Sequence, residues 1–192
     1  MPTSSISETV EALQWDELIK LSAKECDYLN GPTNSYSKLR LFNKPESDVE
    51  VTLYRDNHAW CPYCQKVWLW LEWKRIPYKV QKITMRCYGE KEDWYQKIVP
   101  SGMLPALSIN EYLITESDEI LIALEKRYGP LGIPLEDKKA LLLRSLEREL
   151  FRSWCILLCN PILINNQRER RRKQFRLVAS KLNKEITRRD VL

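Results

Sequence analysis

The stretch His58-Ala59-Trp60-Cys61-Pro62-Tyr63-Cys64-Gln65 decides the fold, because it places two cysteines between a predicted strand and a predicted helix. Residues 51–55, Val-Thr-Leu-Tyr-Arg, are β-branched and aromatic and predict the strand. Residues 65–74 contain no Gly or Pro and many large apolar side chains, which predicts the helix. Pro62 suits a first helical position, since its missing N–H would have no partner there. Cys61 is therefore expected at a helix N-terminus, where backbone N–H groups and the helix dipole favour a thiolate.

A Cys-x-x-Cys pair in this position predicts redox or thiol chemistry. A zinc site would need a second pair of ligands, and no other pair has this spacing among the remaining thiols, Cys26, Cys87, Cys155 and Cys159. His58, the only histidine, could add one ligand at most. A c-type haem attachment would need histidine at Gln65. We therefore predict thiol chemistry and no metal ligands; a metal site and inert cysteines are the two alternatives.

The composition favours a globular protein in a reducing compartment. The chain has 192 residues, 44% of them hydrophobic, which allows one or two domains with a packed core. No apolar run reaches membrane-spanning length. The first twenty residues carry four acidic residues against Lys20 alone, unlike a signal or transit peptide. Six irregularly spaced cysteines do not suggest a secreted disulfide scaffold. We predict a cytoplasmic location and no membrane partner.

Positive charge is concentrated in the last third of the chain. Residues 131–192 hold 15 Lys and Arg against 7 Asp and Glu, and the excess peaks at residues 168–173. We interpret this run as the solvated face of a helix. A nucleic-acid patch is the alternative, but no interleaved aromatic residues or recognised binding fold support it.

The rest of the chain is predicted to form an extension, an α/β domain and a helical part. Residues 1–48 are interpreted as an extension with a helical pattern over 7–24, and Cys26 as a spare buried thiol. The domain spans residues 49–130. After the first strand and the Cys61 helix it continues with a strand at 78–83, a short helix at 90–98 and a hairpin with strands at 101–109 and 112–115. A helix at 120–128 follows, with Ser117 as its predicted N-cap. The order is βαβαββα, with the first two strands parallel.

Residues 131–192 are predicted to be all helical. One helix runs from 135 to 159 and carries a row of large apolar residues on one face, Leu142, Leu146, Leu150 and Trp154. A second, basic helix runs from 168 to 186. The Trp residues 60, 68, 70 and 73 cannot all face one way on a helix, so some must cover core and some must be exposed or meet another domain. Core packing is the interpretation that we favour.

This order of elements, with Cys61-Pro62-Tyr63-Cys64 after the first strand, resembles the thioredoxin-like fold of glutaredoxins. More closely, it resembles the N-terminal domain of glutathione transferases that use cysteine. The resemblance covers about residues 50–130. Among the plant classes it is closest to the iota class, with the omega and lambda classes also similar, in the phrases at residues 60–71, 87–91 and 99–105.

The resemblance implies glutathione as co-substrate, Cys61 as nucleophile and Cys64 as an optional resolving thiol. It also implies a set of glutathione-binding residues, namely Tyr63, Lys91, Leu104, Pro105, Glu116 and Ser117. In the family, the residue before a cis-proline pairs with the cysteinyl part, an acidic-Ser pair takes the γ-glutamyl group, and a Lys takes the glycine carboxylate. The residues themselves leave alternatives open: a trans Pro105, a plain helix cap at Glu116-Ser117 and a solvated Lys91.

The implied activity is a glutathione-dependent thiol oxidoreductase, acting by thiol transfer, deglutathionylation or dehydroascorbate-type reduction. Its other partner would be a glutathionylated or oxidised small molecule or protein. Relative to the family, the helical part at 131–192 resembles a truncated second domain. A glutathione-conjugating transferase, an inactive truncated binder of glutathione or a partner, and a cluster of iron and sulfur shared by Cys61 and glutathione are the alternatives.

Overall fold

The computed structural model describes residues 13–22, 27–160 and 165–187, and a five-stranded mixed sheet lies at the centre of this part. The strands are β1 Leu39–Arg40, β2 Val51–Asp56, β3 Tyr78–Ile83, β4 Ala106–Ile109 and β5 Tyr112–Thr115. The helices are α1 Trp15–Ser22, α2 Pro62–Lys74, α3 Asp93–Ile98, α4 Ser117–Tyr128, α5 Lys138–Leu158 and α6 Asn165–Thr187, with a short 3-10 helix at Glu46–Asp48. Cys26 lies outside the described residues.

The sheet has the strand order β1-β3-β2-β4-β5. Strands β2 and β3 are parallel, from the pair Val51–Tyr78 to the pair Asp56–Ile83, as expected of strands joined through a helix. The pairs β2–β4 and β4–β5 are antiparallel, and Asn110 adopts a left-handed φ of 54° in the hairpin turn. From β2 to α4 the order is βαβαββα, so the predicted thioredoxin-like fold is confirmed.

Alternating residues of the strands bury one face of the sheet against the helices. Val51 and Leu53 of β2 are fully buried, since every second side chain in a strand points to the same face. Helix α2 contributes Val67 and Leu71 to the same core, four residues apart on one side of the helix. Each such side chain contributes roughly 1.5–3 kcal/mol to stability on burial. This core fixes the start of α2 beside the end of β2.

The segment before residue 49 adds strand β1 and is attached to the domain through Arg40. The Arg40 guanidinium is buried and pairs with both carboxylate oxygens of Glu72 on α2, at 2.9 and 3.1 Å. It also donates to the carbonyls of Tyr28 and Gly31. The Tyr78 hydroxyl donates to Glu72 at 2.6 Å. Strand β1 and these bonds therefore join the predicted extension to the sheet and to α2.

Helices α5 and α6 follow the domain and pack on each other. Helix α5 begins after Asp137, whose carboxylate accepts the backbone N–H of Lys139. The apolar face predicted for α5 is only partly buried: Leu146 is buried, but Leu142 and Trp154 are 47% and 42% exposed. The described neighbours of α5 do not cover the whole length of this face. None of the described helices combines the length and apolar composition needed to cross a lipid bilayer.

The tryptophans beside Cys61 divide between core and surface. Trp70 is buried, and Trp68 is half-buried with the Arg55 guanidinium 4.4 Å above its ring. Trp60 and Trp73 are 62% and 78% exposed. The predicted division between core and exposed rings is confirmed: Trp70 and Trp68 pack in the core, and the favoured core packing is wrong for Trp60 and Trp73.

Candidate active site

Cys61 lies in the turn between β2 and α2 and is the N-cap residue of α2. The turn is held by Asp56, whose carboxylate accepts the backbone N–H of Trp60 at 2.6 Å, and by Ala59 at a left-handed φ of 60°. Pro62 occupies the first helical position, as predicted. The sulfur of Cys61 accepts the backbone N–H of Cys64 at 3.4 Å. The strand, the turn and the proline thus place this sulfur over the start of the helix.

The surroundings of Cys61 favour its thiolate. A hydrogen bond from the Cys64 thiol is the largest influence and lowers the pKa of Cys61 to about 7. Burial opposes this shift, while backbone N–H groups of Cys64 and Tyr63 add to it and the Asp56 carboxylate works against it. The pKa of Cys64 is raised, because its thiol donates to Cys61 and is buried. Near pH 7 the pair therefore consists of a Cys61 that is about half ionised and a protonated Cys64.

Asp56 is a functional candidate that the sequence reasoning missed. It is fully buried, and its Oδ1 has no hydrogen-bond partner within the described residues. A carboxylate oxygen of Asp56 and the sulfurs of Cys61 and Cys64 all lie within 4.8 Å of one another. The sequence offered one indication of this role, because Asp56 follows the predicted strand directly and precedes the Cys-x-x-Cys pair. These three groups could hold a metal ion, although zinc takes four ligands and the cluster offers three.

A cavity of about 360 Å³ opens beside Cys61, and we call it the cysteine cavity. Lys91 lines it, and its amine donates to the carbonyl of Thr84 at 3.0 Å. Gly102 lies against the stem of Lys91: it has a left-handed φ of 63°, and a Cβ there would be 3.2 Å from Cδ of the lysine. The other lining residues are Met85, Arg86, Cys87, Ser101, Met103 and Leu104. A buried thiol and a lysine therefore share one cavity.

A second cavity of about 190 Å³, the charged cavity, lies next to it. Its lining residues are Tyr63, Met103, Leu104, Pro105, Glu116, Ser117 and Arg148. The Leu104–Pro105 peptide bond is cis. The buried Tyr95 fixes the preceding loop by donating from its hydroxyl to the carbonyl of Met103 at 2.6 Å. Glu116 adopts a φ of 66°, a conformation that residues other than glycine rarely occupy and that clusters at functional sites.

The structure brings the predicted site residues together around these two cavities. Cys61, Lys91 and Leu104 line the cysteine cavity, and Leu104 also lines the charged cavity. The remaining predicted binding residues, Tyr63, Pro105, Glu116 and Ser117, line the charged cavity. Cys64 lies behind Cys61 and is buried. Arg148, on α5, was not predicted and carries no sequence signal, because it is 31 residues from Ser117 and meets it only in the fold.

Helices α2 and α5 enclose a third, mainly apolar cavity of about 450 Å³. Leu69 of α2 and Leu143 of α5 contribute apolar surface, and Lys66 and Arg144 carry positive charge. The rings of Tyr63 and Phe151 meet at its end, with centroids 5.8 Å apart. The helical part therefore contacts the domain next to the Cys61 turn.

The sheet topology and the buried Cys-x-x-Cys turn together define a thioredoxin-like domain. Residues 60–127 match the family model described as "Glutathione S-transferase, N-terminal domain". Over these residues the chain is similar to a glutathione S-transferase N-terminal domain, in agreement with the resemblance drawn from the sequence. Its assignment to one class of that family stays a prediction.

Similar proteins include a plant relative and fungal structures. The chain is 38% identical over 78 residues to "Glutathione S-transferase DHAR3, chloroplastic" of Arabidopsis thaliana, a match that covers 40% of this chain and 29% of that protein. The chain spans about 30% of the length of the curated relatives it matches. The structure of glutathione transferase Omega 3C from Trametes versicolor is similar with a TM-score of 0.61 at 19% identity, over 73% of this chain and 60% of that one.

A further similar structure is glutathione transferase URE2P6 from Phanerochaete chrysosporium in complex with oxidised glutathione. It aligns with a TM-score of 0.55 at 18% identity, over 75% of this chain and 71% of that one. At these identities the two structures establish the fold alone. The predicted cytoplasmic location stays a prediction, and the name of the Arabidopsis relative places that protein in the chloroplast.

Proposed function

We propose that the chain binds glutathione and that Cys61 is the nucleophile of a glutathione-dependent thiol–disulfide exchange. The observation that carries the proposal is the pairing of a thiol of lowered pKa with the cysteine cavity, into which that thiol opens. Thiolates, and not thiols, attack disulfides. The glutathione S-transferase N-terminal domain at residues 60–127 and the glutathione complex of a similar structure support glutathione as the co-substrate.

Glutathione would extend across both cavities, which share Met103 and Leu104 as lining residues. In this arrangement Glu116 receives the γ-glutamyl ammonium, and Ser117 at the N-terminus of α4 receives the γ-glutamyl carboxylate. The backbone of Leu104, before the cis Pro105, pairs with the cysteinyl part. Lys91 takes the glycine carboxylate, and the Tyr63 ring lies beside the tripeptide. The glutathione sulfur then lies next to Cys61.

The reaction begins when the Cys61 thiolate attacks the glutathione sulfur of a mixed disulfide. The disulfide bond breaks, the substrate leaves as a thiolate that takes a proton from water, and a Cys61–glutathione disulfide forms. A second glutathione thiolate attacks the glutathione sulfur of that disulfide. Oxidised glutathione leaves and the Cys61 thiolate is regenerated. The cycle transfers one disulfide bond from the substrate to glutathione. When the substrate is instead an oxidised small molecule such as dehydroascorbate, two glutathione molecules supply the two electrons that reduce it.

Cys64 offers a second route for resolving the intermediate. Its sulfur attacks Cys61, glutathione leaves as a thiolate, and a Cys61–Cys64 disulfide forms that two further glutathione molecules reduce. Because the pKa of Cys64 is raised, its thiol must lose a proton during this attack. Asp56 provides a carboxylate oxygen within 4.8 Å of this sulfur and accepts that proton.

Disulfide exchange is favoured over conjugation because a cysteine forms a stable disulfide with glutathione. A serine or tyrosine would only activate the glutathione thiol for attack on an electrophile. Conjugation and glutathione binding without turnover therefore remain as the outcomes against which the proposal is tested.

The test measures glutathione-dependent reduction of hydroxyethyl disulfide by the full chain. We expect turnover in the unsubstituted protein and a loss of at least about 100-fold in Cys61→Ser, because the hydroxyl is not ionised near neutral pH. Cys159→Ser, which changes an exposed thiol beyond the end of α5, is the matched control and should keep full activity.

Three results would contradict the proposal. Full turnover in Cys61→Ser would exclude Cys61 as the nucleophile. Turnover of a chlorinated aromatic electrophile without disulfide reduction would identify a conjugating transferase, and tight glutathione binding without either reaction would identify a binder.

A further inference from the structure

The charged cavity is lined by residues of opposite charge that come from two parts of the chain. Glu116 precedes α4 and carries the negative charge, and Arg148 on α5 carries the positive charge. Ser117 lines the same cavity, and within the described residues its hydroxyl makes no hydrogen bond, nor does the Glu116 carboxylate. Three polar groups of the cavity are thus available to a ligand that bears both charges.

The position of Arg148 is fixed by two contacts. Its Nη2 lies 2.7 Å from Oδ2 of Asp118, and its guanidinium carbon lies 5.5 Å from the centroid of the Tyr63 ring. Both contacts hold the Arg148 side chain against the wall of the charged cavity, although α5 lies outside the residues that match the family model. The guanidinium has five N–H donors, so donors remain for a ligand.

Three cations converge on Asp118 beside the charged cavity. Its single carboxylate is paired with Lys66, with Arg144 at 3.0 Å and with Arg148. Glu147 adds a second carboxylate, with Oε2 3.9 Å from Nε of Arg148. Arg148 shares Asp118 with two other cations, and it is the cation among the residues that line the charged cavity, so its free N–H donors face any anionic ligand group there.

We propose that Arg148 binds the α-carboxylate of the γ-glutamyl group of glutathione, together with Ser117. This inference rests on the proposed function and adds a binding residue from α5. A γ-glutamyl group bears an ammonium and a carboxylate on one carbon, which matches Glu116 and Arg148 on one cavity. The planar fork of arginine suits a carboxylate, which it contacts through two parallel N–H bonds. Glutathione affinity then depends on the placement of α5 against the domain.

The experiment compares two peptides by titration calorimetry on the full chain. One is glutathione, and the other is 4-aminobutyryl-cysteinyl-glycine, which keeps the ammonium but lacks the α-carboxylate. Arg148→Ala is expected to weaken glutathione binding about tenfold, since a charged hydrogen bond is lost, and to leave binding of the other peptide unchanged. Arg148→Lys should recover part of the loss, because it keeps the charge but not the fork.

Arg152→Ala serves as the matched control, since Arg152 is exposed one turn further along α5 and lines a different cavity, towards α6. The Arg152→Ala variant should bind both peptides with the affinity of the unsubstituted chain. Equal weakening of both peptides in Arg148→Ala, or no weakening of glutathione, would overturn the role of Arg148. If the unsubstituted chain binds neither peptide, the proposed function fails and this inference fails with it.

Discussion

The hydrogen bond between the two active-site thiols is expected to set the ionisation of Cys61. It is the largest influence that lowers the pKa of Cys61 to about 7. Cys64→Ala removes this donor and leaves the backbone N–H groups of the helix start in place. Cys64→Ser replaces it with a hydroxyl donor of similar reach. Comparing the two variants therefore separates the effect of losing the hydrogen bond on the pKa of Cys61 from the effect of losing the Cys64 sulfur.

The size of the effect follows from the energy of a hydrogen bond to a charged group. Such a bond contributes about 1.5–3 kcal/mol, and one pKa unit corresponds to about 1.4 kcal/mol. We expect the pKa of Cys61 in Cys64→Ala to rise by about one to two units, from about 7 to between about 8 and 9. At pH 7 the thiolate fraction then falls from about one half to below about one tenth.

The assay is the pH dependence of thiolate absorbance near 240 nm, with the rate of alkylation by iodoacetamide as a second measure. Cys26, Cys87, Cys155 and Cys159 are replaced by serine in the background, so that their absorbance does not contribute. Alkylation should rise as pH increases through the pKa of Cys61 and level off above it, because only the thiolate reacts. Cys64→Ser should keep a midpoint close to that of the background protein.

Two results would refute this reasoning. The first is an unchanged midpoint in Cys64→Ala, which would show that the Cys64 thiol does not stabilise the Cys61 thiolate. The second is a midpoint near the ordinary cysteine value of about 8.5 in the background protein. That result would mean that neither the Cys64 thiol nor the backbone N–H groups at the start of α2 lower the pKa of Cys61.

Two further predictions concern carboxylates beside the site. Without added glutathione, Asp56→Asn should slow the decay of a preformed Cys61–glutathione disulfide by at least about tenfold, since it removes the proton acceptor for Cys64. Mass spectrometry follows the decay, and an unchanged rate would exclude Asp56 as that acceptor. Burial raises the pKa of Asp118, but its pairs with Lys66 and Arg144 outweigh this and hold the pKa at about 2. Because the pKa of Asp118 is depressed in the folded state, Asp118→Asn should lower the free energy of unfolding by about 1 kcal/mol above about pH 4. Urea unfolding should show this difference disappearing as pH falls through about 2, and a difference independent of pH would contradict the ion pairs.

The fold was predictable where local patterns are strong. The β-branched run before the cysteines, the proline at the first position of α2 and the turn at Asn110-Glu111 each specify a local conformation, and the elements follow in the expected order. Boundaries were less accurate in α3, predicted from 90 and observed from Asp93. The Glu92 carboxylate accepts hydrogen bonds from the backbone N–H and the hydroxyl of Thr84, which follows the end of β3. This tertiary contact holds residues 90–92 outside the helix.

By itself the sequence determined the thioredoxin-like order of elements, the position of Cys61 at the start of α2 and, through the family resemblance, part of the set of residues that line the two cavities. These depend on local propensity and on motifs within short segments. Only the tertiary structure decided that Asp56 shares a buried cluster with both cysteines and that Arg148 of α5 completes the charged cavity. The physical reason is that charge and burial depend on which distant segments meet, and no local pattern carries that information.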